Sequence, residues 1–296
     1  MSSHGTLSAQ AGRPEQDGAF PRGRVFVWVP EAAPELETLL YFPRSAPASR
    51  RALVSVHGVA RNAMEHALLF SAEAERRGAA IIAPMFSERR FRGYQTLRKR
   101  RHHLAPEQAF ERMLENLAQL SGLDLGRLSL FGYSGGGQFA HRFAMIHPER
   151  IARLSVGAAG WYTFPDPARA YPQGIAHPPS RLPVIDLEPF LQLPVQVLVG
   201  DADLQRDEAL NQKPEIDQRQ GLTRVERGRR WVEALQQAAR LRGISPNASF
   251  RLMPGVAHSF SDAVVHCAMD RAVFDFHFAG EAEAAPAQAI QPAEAP

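Results

Sequence analysis

One cysteine, Cys267, is all that the chain of 296 residues contains, and that scarcity excludes two kinds of scaffold. A disulfide framework needs pairs of cysteines, and a multi-cysteine metal site needs several at close spacing. A lone thiol suits a reducing compartment. At the centre of an every-fourth apolar stripe (Phe260, Val264, Ala268, Ala272, Phe276), Cys267 reads as a structural thiol on one helix. Long apolar runs are missing too. None approaches the roughly 20 residues that span a bilayer, and the opening MSSHGTLSAQAGRPEQDGAF lacks the apolar centre of a secretory signal. A cytoplasmic location with no membrane partner is expected. Excess charge of one sign is small: a formal net charge of +3 does not by itself point to nucleic acid. Histidines and acids do not fall at metal-ligand spacing either; His57, His102 and His103 share no helix face, and no cofactor is expected.

What remains is ordinary for a soluble globular domain, with 45% apolar and 22% charged residues. The length fits a single α/β domain over residues 21–279. Residues 1–20 and 280–296, rich in Ala, Pro, Gly, Glu and Gln, cannot bury enough surface to order themselves and are expected to be tails. Short apolar runs alternate with helical patterns between them. RVFVWV and ELETLLYF read as an opening pair of strands, followed by ALVSVHG, AAIIAPMF, RLSLFGYSG, IARLSVGAA, VQVLVGDAD and SFRLMPG. The central runs are continuously apolar, as strands covered on both faces must be. Helices are predicted over 62–77, 106–120, 137–147, 223–241 and 259–278. That alternation predicts a mostly parallel sheet flanked by helices. The proline-crowded stretch 161–194 fits neither period. It is expected to be a small cap over the carboxyl edge of the sheet, or else a passive surface loop.

The stretch Gly132-Tyr133-Ser134-Gly135-Gly136 follows an apolar strand and precedes a helix. G-x-S-x-G in that setting puts a serine on a tight strand-to-helix turn, with Oγ projecting from the end of the sheet. The glycines clear space where strand and helix pass closely. A helix starting there directs free N–H groups at the same point, which favours developing negative charge. A glycine-rich turn can instead cradle phosphate, but no lysine follows these glycines as a P-loop requires.

Serine needs a base and the base needs an orienting acid. VLVGDADLQRD ends the seventh strand with acids, and MPGVAHSF ends the eighth with a histidine. Asp203 is preferred over Asp201, with Asp207 third, because the third residue past Gly200 has room to turn back across the sheet. His258 is the candidate base; His266 and His277 fall inside the last predicted helix. Oxyanion donors are expected from the backbone N–H of Gly135 and from the loop after the third strand, through Val59 or else Ala60. His57 reads as a scaffold residue of that loop.

HG after the third strand, GYSGG after the fifth, VGDAD after the seventh and PGVAH after the eighth together resemble the α/β-hydrolase superfamily, from Arg24 to Phe278. The likeness is to its compact esterase and depolymerase-like branch (dienelactone-hydrolase-like, feruloyl-esterase-like and polyhydroxybutyrate-depolymerase-like proteins) more than to lipases with large lids. It implies an eight-stranded sheet of that fold, with Ser134 as nucleophile, Asp203 as acid, His258 as base, and Gly135 with Val59 as oxyanion donors. No double-glycine HGG loop is present, which disfavours bulky tertiary esters. The missing signal and disulfides disfavour an insoluble polymer.

Other features stay open on the sequence. Ser87–His103 concentrates arginines just after the fourth strand; it is either a solvated loop or a place where Arg89, Arg92 or Arg98 holds a substrate carboxylate or phosphate. Phe91 and Tyr94 are too few to stack nucleic-acid bases. Trp161 and Tyr162, with Phe164, are candidates to wall the substrate pocket, as is Tyr133, although Trp161 and Tyr133 also suit packing roles. The expected function is a serine hydrolase cleaving a small-molecule ester or related acyl bond, of open oligomeric state. The alternatives are an amidase or peptidase with the same residues, or a non-catalytic binding protein of this fold.

Overall fold

The computed structural model describes residues 20–46 and 49–278. The predicted tails lie outside them except at one end. There, Phe20 is buried and stacks on Phe42 at 5.1 Å and on Phe26 at 6.0 Å, so the core begins one residue earlier than composition suggested.

Eight strands form one sheet: β1 (Val25–Trp28), β2 (Thr38–Tyr41), β3 (Ala52–Val56), β4 (Ala80–Pro84), β5 (Leu128–Tyr133), β6 (Ile151–Gly157), β7 (Val195–Gly200) and β8 (Ala248–Met253). Their order is β1-β2-β4-β3-β5-β6-β7-β8. β2 pairs antiparallel with β1 and β4, and every later pairing is parallel. Strands β3, β4 and β7 are buried at every residue, which is why they read as apolar runs interrupted only by Ser55 and Gln196. β8, at the edge, is largely exposed.

The helices are α1 (Ala63–Leu69), α2 (Ser71–Arg77), α3 (Glu88–Phe91), α4 (Pro106–Ser121), α5 (Gly135–Ile146), α6 (Leu187–Leu191), α7 (Pro214–Gln220), α8 (Arg224–Arg240), α9 (Phe260–Cys267) and α10 (Met269–His277). One group, α1, α2, α9 and α10, packs on itself around Phe70, Phe131, Phe260 and Phe274. In another, Phe110 of α4 meets Phe139 and Phe143 of α5 edge-on. No helix among the described residues is long and apolar enough to cross a membrane.

Two predicted helices are broken. The one over 62–77 divides at Phe70, where the Ser71 hydroxyl donates to the Leu68 carbonyl and competes with the backbone ladder. The one over 259–278 divides at Ala268, whose φ of 50° lies in the left-handed region. The every-fourth stripe falters at that break: Ala268 is exposed and Phe276 half-buried, whereas Ala272, together with Met269, Val273 and Phe274, is buried. Residues 161–194 hold only the short α6 and one isolated bridge, Ala170 to Ala176. Part of the stretch lies against the loop after α3, since Tyr171 Oη donates to the Thr96 carbonyl at 3.0 Å.

Candidate active site

β5 ends at Tyr133 and α5 begins at Gly135, so Ser134 has to reverse the chain by itself. It does so at φ 53°, ψ −114°, a conformation that residues with a Cβ avoid and that the surroundings must impose. Its N–H donates to the Gly157 carbonyl at 2.7 Å, tying the turn to β6. Gly132 and Gly136 are the clearances. A Cβ on Gly132 would sit 2.2 Å from the Gly136 carbonyl oxygen, and one on Gly136 would sit 1.9 Å from that of Val56.

The loops after β7 and β8 bring the other two side chains to the same edge. Ser134 Oγ lies 3.0 Å from His258 Nε2, and His258 Nδ1 lies 2.7 Å from Asp203 Oδ2. An ionised carboxylate only accepts, so Nδ1 carries the proton and Nε2 is left to accept from the serine hydroxyl. Asp203 is 1% exposed, while the His258 side chain keeps 19% of its surface open. The loops meet closely because Gly200 lacks a Cβ, which would lie 2.0 Å from the Val256 carbonyl oxygen. Asp201 is occupied elsewhere, accepting from the Gly255 N–H at 2.7 Å, which secures the turn before His258. His266 is exposed and His277 is buried, both away from this chain of bonds.

One partner of the acid was not foreseen. Arg224, fully buried at the start of α8, donates from Nη1 to Asp203 Oδ1 at 3.1 Å and from Nη2 to Asp207 Oδ1 at 2.8 Å. Asp203 is thus gripped at both oxygens, by a guanidinium on one side and an imidazole on the other. Burial pushes the Asp207 carboxyl up, but the bond to Arg224 and its charge together hold it below the usual carboxylate range. The sequence cue was slight: Arg224 is the first helical residue inside the capping box of Thr223 and Glu226.

The loop after β3 abuts the turn. Val59 N lies 3.2 Å from the position of a Cβ on Gly135, and Val59 Cγ1 lies 2.9 Å from it. The Val59 N–H has no partner among the described residues, and the Gly135 N–H, in the first turn of α5, has none within its helix. Two free donors therefore flank Ser134. The loop is fixed from behind: His57 Nδ1 donates to the Gly58 carbonyl at 2.7 Å, and its Nε2 accepts from the Phe86 N–H at 2.9 Å. Burial pulls the His57 imidazole down to about 4, so it stays neutral at pH 7. Tyr94 Oη donates to the His57 carbonyl at 2.7 Å, a second brace that the sequence did not suggest.

The aromatic candidates divide. Tyr162 is fully buried, stacked on Trp231 at 4.7 Å with its backbone N–H bonded to Gln220; it belongs to the core and does not wall an open pocket. Tyr133 is 6% exposed and stacks on the His258 ring at 5.6 Å, so it supports the imidazole and does not line a cleft. Trp161 is half-buried, with the Arg142 guanidinium over its ring at 4.3 Å. Among the described residues no cluster of His, Cys, Asp or Glu has the makings of a metal site.

No protein-family model matches the chain, and no curated protein matches it by sequence. Solved structures do. A poly(aspartic acid) hydrolase from Sphingomonas sp. KT-1 is 26% identical, with a TM-score of 0.70 over 81% of this chain and 93% of its own. A poly(3-hydroxybutyrate) depolymerase from Bordetella parapertussis is 25% identical, with a TM-score of 0.70 over 86% and 88%. An S-formylglutathione hydrolase from Agrobacterium tumefaciens is 19% identical, with a TM-score of 0.57 over 86% and 93%, a likeness of fold alone.

Proposed function

We propose that this chain, which belongs to the α/β-hydrolase superfamily, is a serine hydrolase that cleaves a small ester or related acyl bond through an acyl-enzyme. The observation that carries the reading is the unbroken chain of bonds from Asp203 through His258 to Ser134, at a serine with positive φ. Ser134 Oγ attacks the acyl carbon as its proton passes to His258 Nε2. The imidazolium that forms is held by Asp203 at Nδ1. Charge developing on the carbonyl oxygen is met by the N–H groups of Gly135 and Val59, each worth about 3 kcal/mol in the transition state. His258 then gives its proton to the leaving oxygen, and the bond to the alcohol breaks. Water, deprotonated by the same nitrogen, clears the acyl group from Ser134.

Two features favour the compact esterase and depolymerase-like branch: the motif order and the likeness to two polymer hydrolases over most of both chains. Because poly(aspartic acid) is joined by amide bonds, an amide substrate belongs in the same test. Purified protein is assayed with p-nitrophenyl acetate and butyrate, the matching anilides, and a fluorophosphonate probe. Ser134→Ala is expected to lower ester turnover by about 10⁴-fold or more and to abolish labelling. Turnover undiminished in that variant would remove the reading; folded wild type that neither turns over nor labels would favour the binding-protein alternative.

A further inference from the structure

The arginine-rich loop after α3 does not behave as a free surface excursion. Four consecutive residues in it are tied to four different partners. Tyr94 Oη donates to the His57 carbonyl, and the carbonyls of Gln95, Thr96 and Leu97 accept from Arg142, Tyr171 and Arg181 respectively. Gly93 and Leu97, at φ 86° and 55°, turn the backbone tightly at either end of this pinned run. A loop that only had to be solvated would need none of these anchors.

Held in place by them is an open cleft of about 670 Å³, lined by Arg92, Gln95, Arg98, Lys99, Arg100 and Arg101. No acidic side chain lines it. Arg98, Lys99 and Arg101 make no ion pair among the described residues, and Arg92 makes only a long one, 3.4 Å to a Glu88 that also serves Arg61. Behind the wall stands another unbalanced cation. Arg142 is fully buried with no carboxylate partner among the described residues; its Nη1 bonds to the carbonyl of Gln95, and its Nη2 has no partner. Positive charge therefore accumulates from both sides of one stretch of loop, without the counter-charges that the arginines of the α8 region have. The loop that carries the cleft also reaches the reacting centre from behind. Tyr94, between lining residues Gly93 and Gln95, places its hydroxyl 2.8 Å from the position of a Cβ on Gly135, next to Ser134.

Resting on the serine hydrolase reading, we infer that the substrate is an anion: an acyl compound carrying carboxylate groups beside the bond that is cut, held by Arg98, Arg101 and their neighbours. Exposed cations taken singly bind weakly, but a fixed loop presenting several of them loses little freedom when an anion arrives. Guanidinium forks suit carboxylates, and the attraction must weaken with salt.

The test compares kcat/KM for neutral p-nitrophenyl butyrate with that for two anionic esters, mono-p-nitrophenyl glutarate and 3-carboxy-4-nitrophenyl butyrate, which place the carboxylate on opposite sides of the bond. At least one anionic ester is expected to be favoured roughly tenfold, with the preference shrinking severalfold between about 0.05 and about 0.5 M NaCl. The anionic-to-neutral ratio is expected to fall about tenfold in Arg98→Gln/Arg101→Gln, to be largely kept in Arg98→Lys/Arg101→Lys, and to hold in Arg240→Gln/Arg242→Gln, which removes equal charge at the far end of α8. No preference for either anionic ester, or a ratio that the Gln pair leaves unmoved, overturns the inference while hydrolysis itself stands. Should no ester be turned over and Ser134 stay unlabelled, the hydrolase reading fails separately. Calorimetry with propane-1,2,3-tricarboxylate then decides: binding lost in the Gln pair supports the anion site, and no binding to wild type overturns it.

Discussion

Replacing Arg224 by methionine keeps the bulk of the side chain and removes its charge. In the native protein, neither the Arg224 nor the Asp203 side chain has exposed surface, whereas Asp207 on the other branch of the guanidinium keeps 37%. Asp207 is free to rehydrate when its partner goes, so its loss counts for little. Asp203 has no such recourse, and its Oδ1 would be left charged, buried and unbonded. Removing one member of a buried pair costs about 3–5 kcal/mol. His258 still bonds to Oδ2 and softens the loss, which puts the expected destabilisation near about 3 kcal/mol. For a domain of this size that corresponds to a fall in Tm of roughly 6–12 °C. A carboxylate held at one oxygen can also swing, and kcat is expected to drop on the order of tenfold as the imidazole loses its fixed orientation. Arg224→Lys, which keeps the charge but not the fork, should recover only part of Tm and of kcat. Thermal melts and steady-state kinetics on the three proteins measure all of this. If the methionine variant melts within about 2 °C of wild type and its kcat is unmoved, Arg224 neither anchors nor orients the acid, and the reasoning fails.

Gly136→Ala should yield little folded protein, because its Cβ would meet the Val56 and His57 carbonyl oxygens at 1.9 and 2.6 Å and backbone on both sides cannot give way; circular dichroism of the soluble fraction checks this. Tyr94→Phe removes the 2.7 Å bond to the His57 carbonyl that braces the oxyanion loop. It is expected to cost about 1–2 kcal/mol in urea unfolding and to lower kcat more than it changes KM. His277→Phe replaces an imidazole whose two nitrogens are buried without partners, and whose burial pulls it down to about 3 from the ordinary 6.5. Since the folded value is the lower one, the unfolded chain binds the extra proton between those limits, and stability is lost as pH falls through that window. The phenylalanine variant should gain about 1–3 kcal/mol at pH 7. It should also lose about 2 kcal/mol less than wild type between pH 7 and pH 5; equal acid sensitivity in urea melts would refute the assignment.

Much of this was legible in the amino-acid order because two signals coincided. Buried parallel strands read as apolar runs, and the residues just past β5, β7 and β8 arrive at one edge; with the G-x-S-x-G turn and the acids and histidine past the later strands, that pointed to Ser134, Asp203 and His258, which the structure brings within hydrogen-bonding distance. Asp203 was separable from Asp201 by its place in the turn, and the bond from Gly255 to Asp201 gives the other aspartate its own occupation. What stayed hidden depended on which way a helix faces. Arg224 sits among the arginines of LTRVERGRR, a pattern that reads as a solvated helix start until α8 is seen to aim its first turn at the acid. Tyr162 follows a strand at the catalytic edge and passes for a pocket wall; only the stack on Trp231, from a helix some seventy residues on, shows it to be core. The break at Ala268 carries no glycine or proline, so local chemistry gave no warning of it.

The reacting groups are contributed unequally along the chain. Ser134 and the donors at Val59 and Gly135 precede the irregular stretch 161–194; Asp203, Arg224 and His258 all follow it. The two sets meet where β6 pairs with β7, four residue pairs from Leu154↔Val195 to Gly157↔Leu198. Severed within the intervening loop, neither fragment would hold the whole set, and on the hydrolase proposal activity would return only when the two halves rejoin. The seam lies off-centre, with six strands of the sheet on one side of it and two on the other.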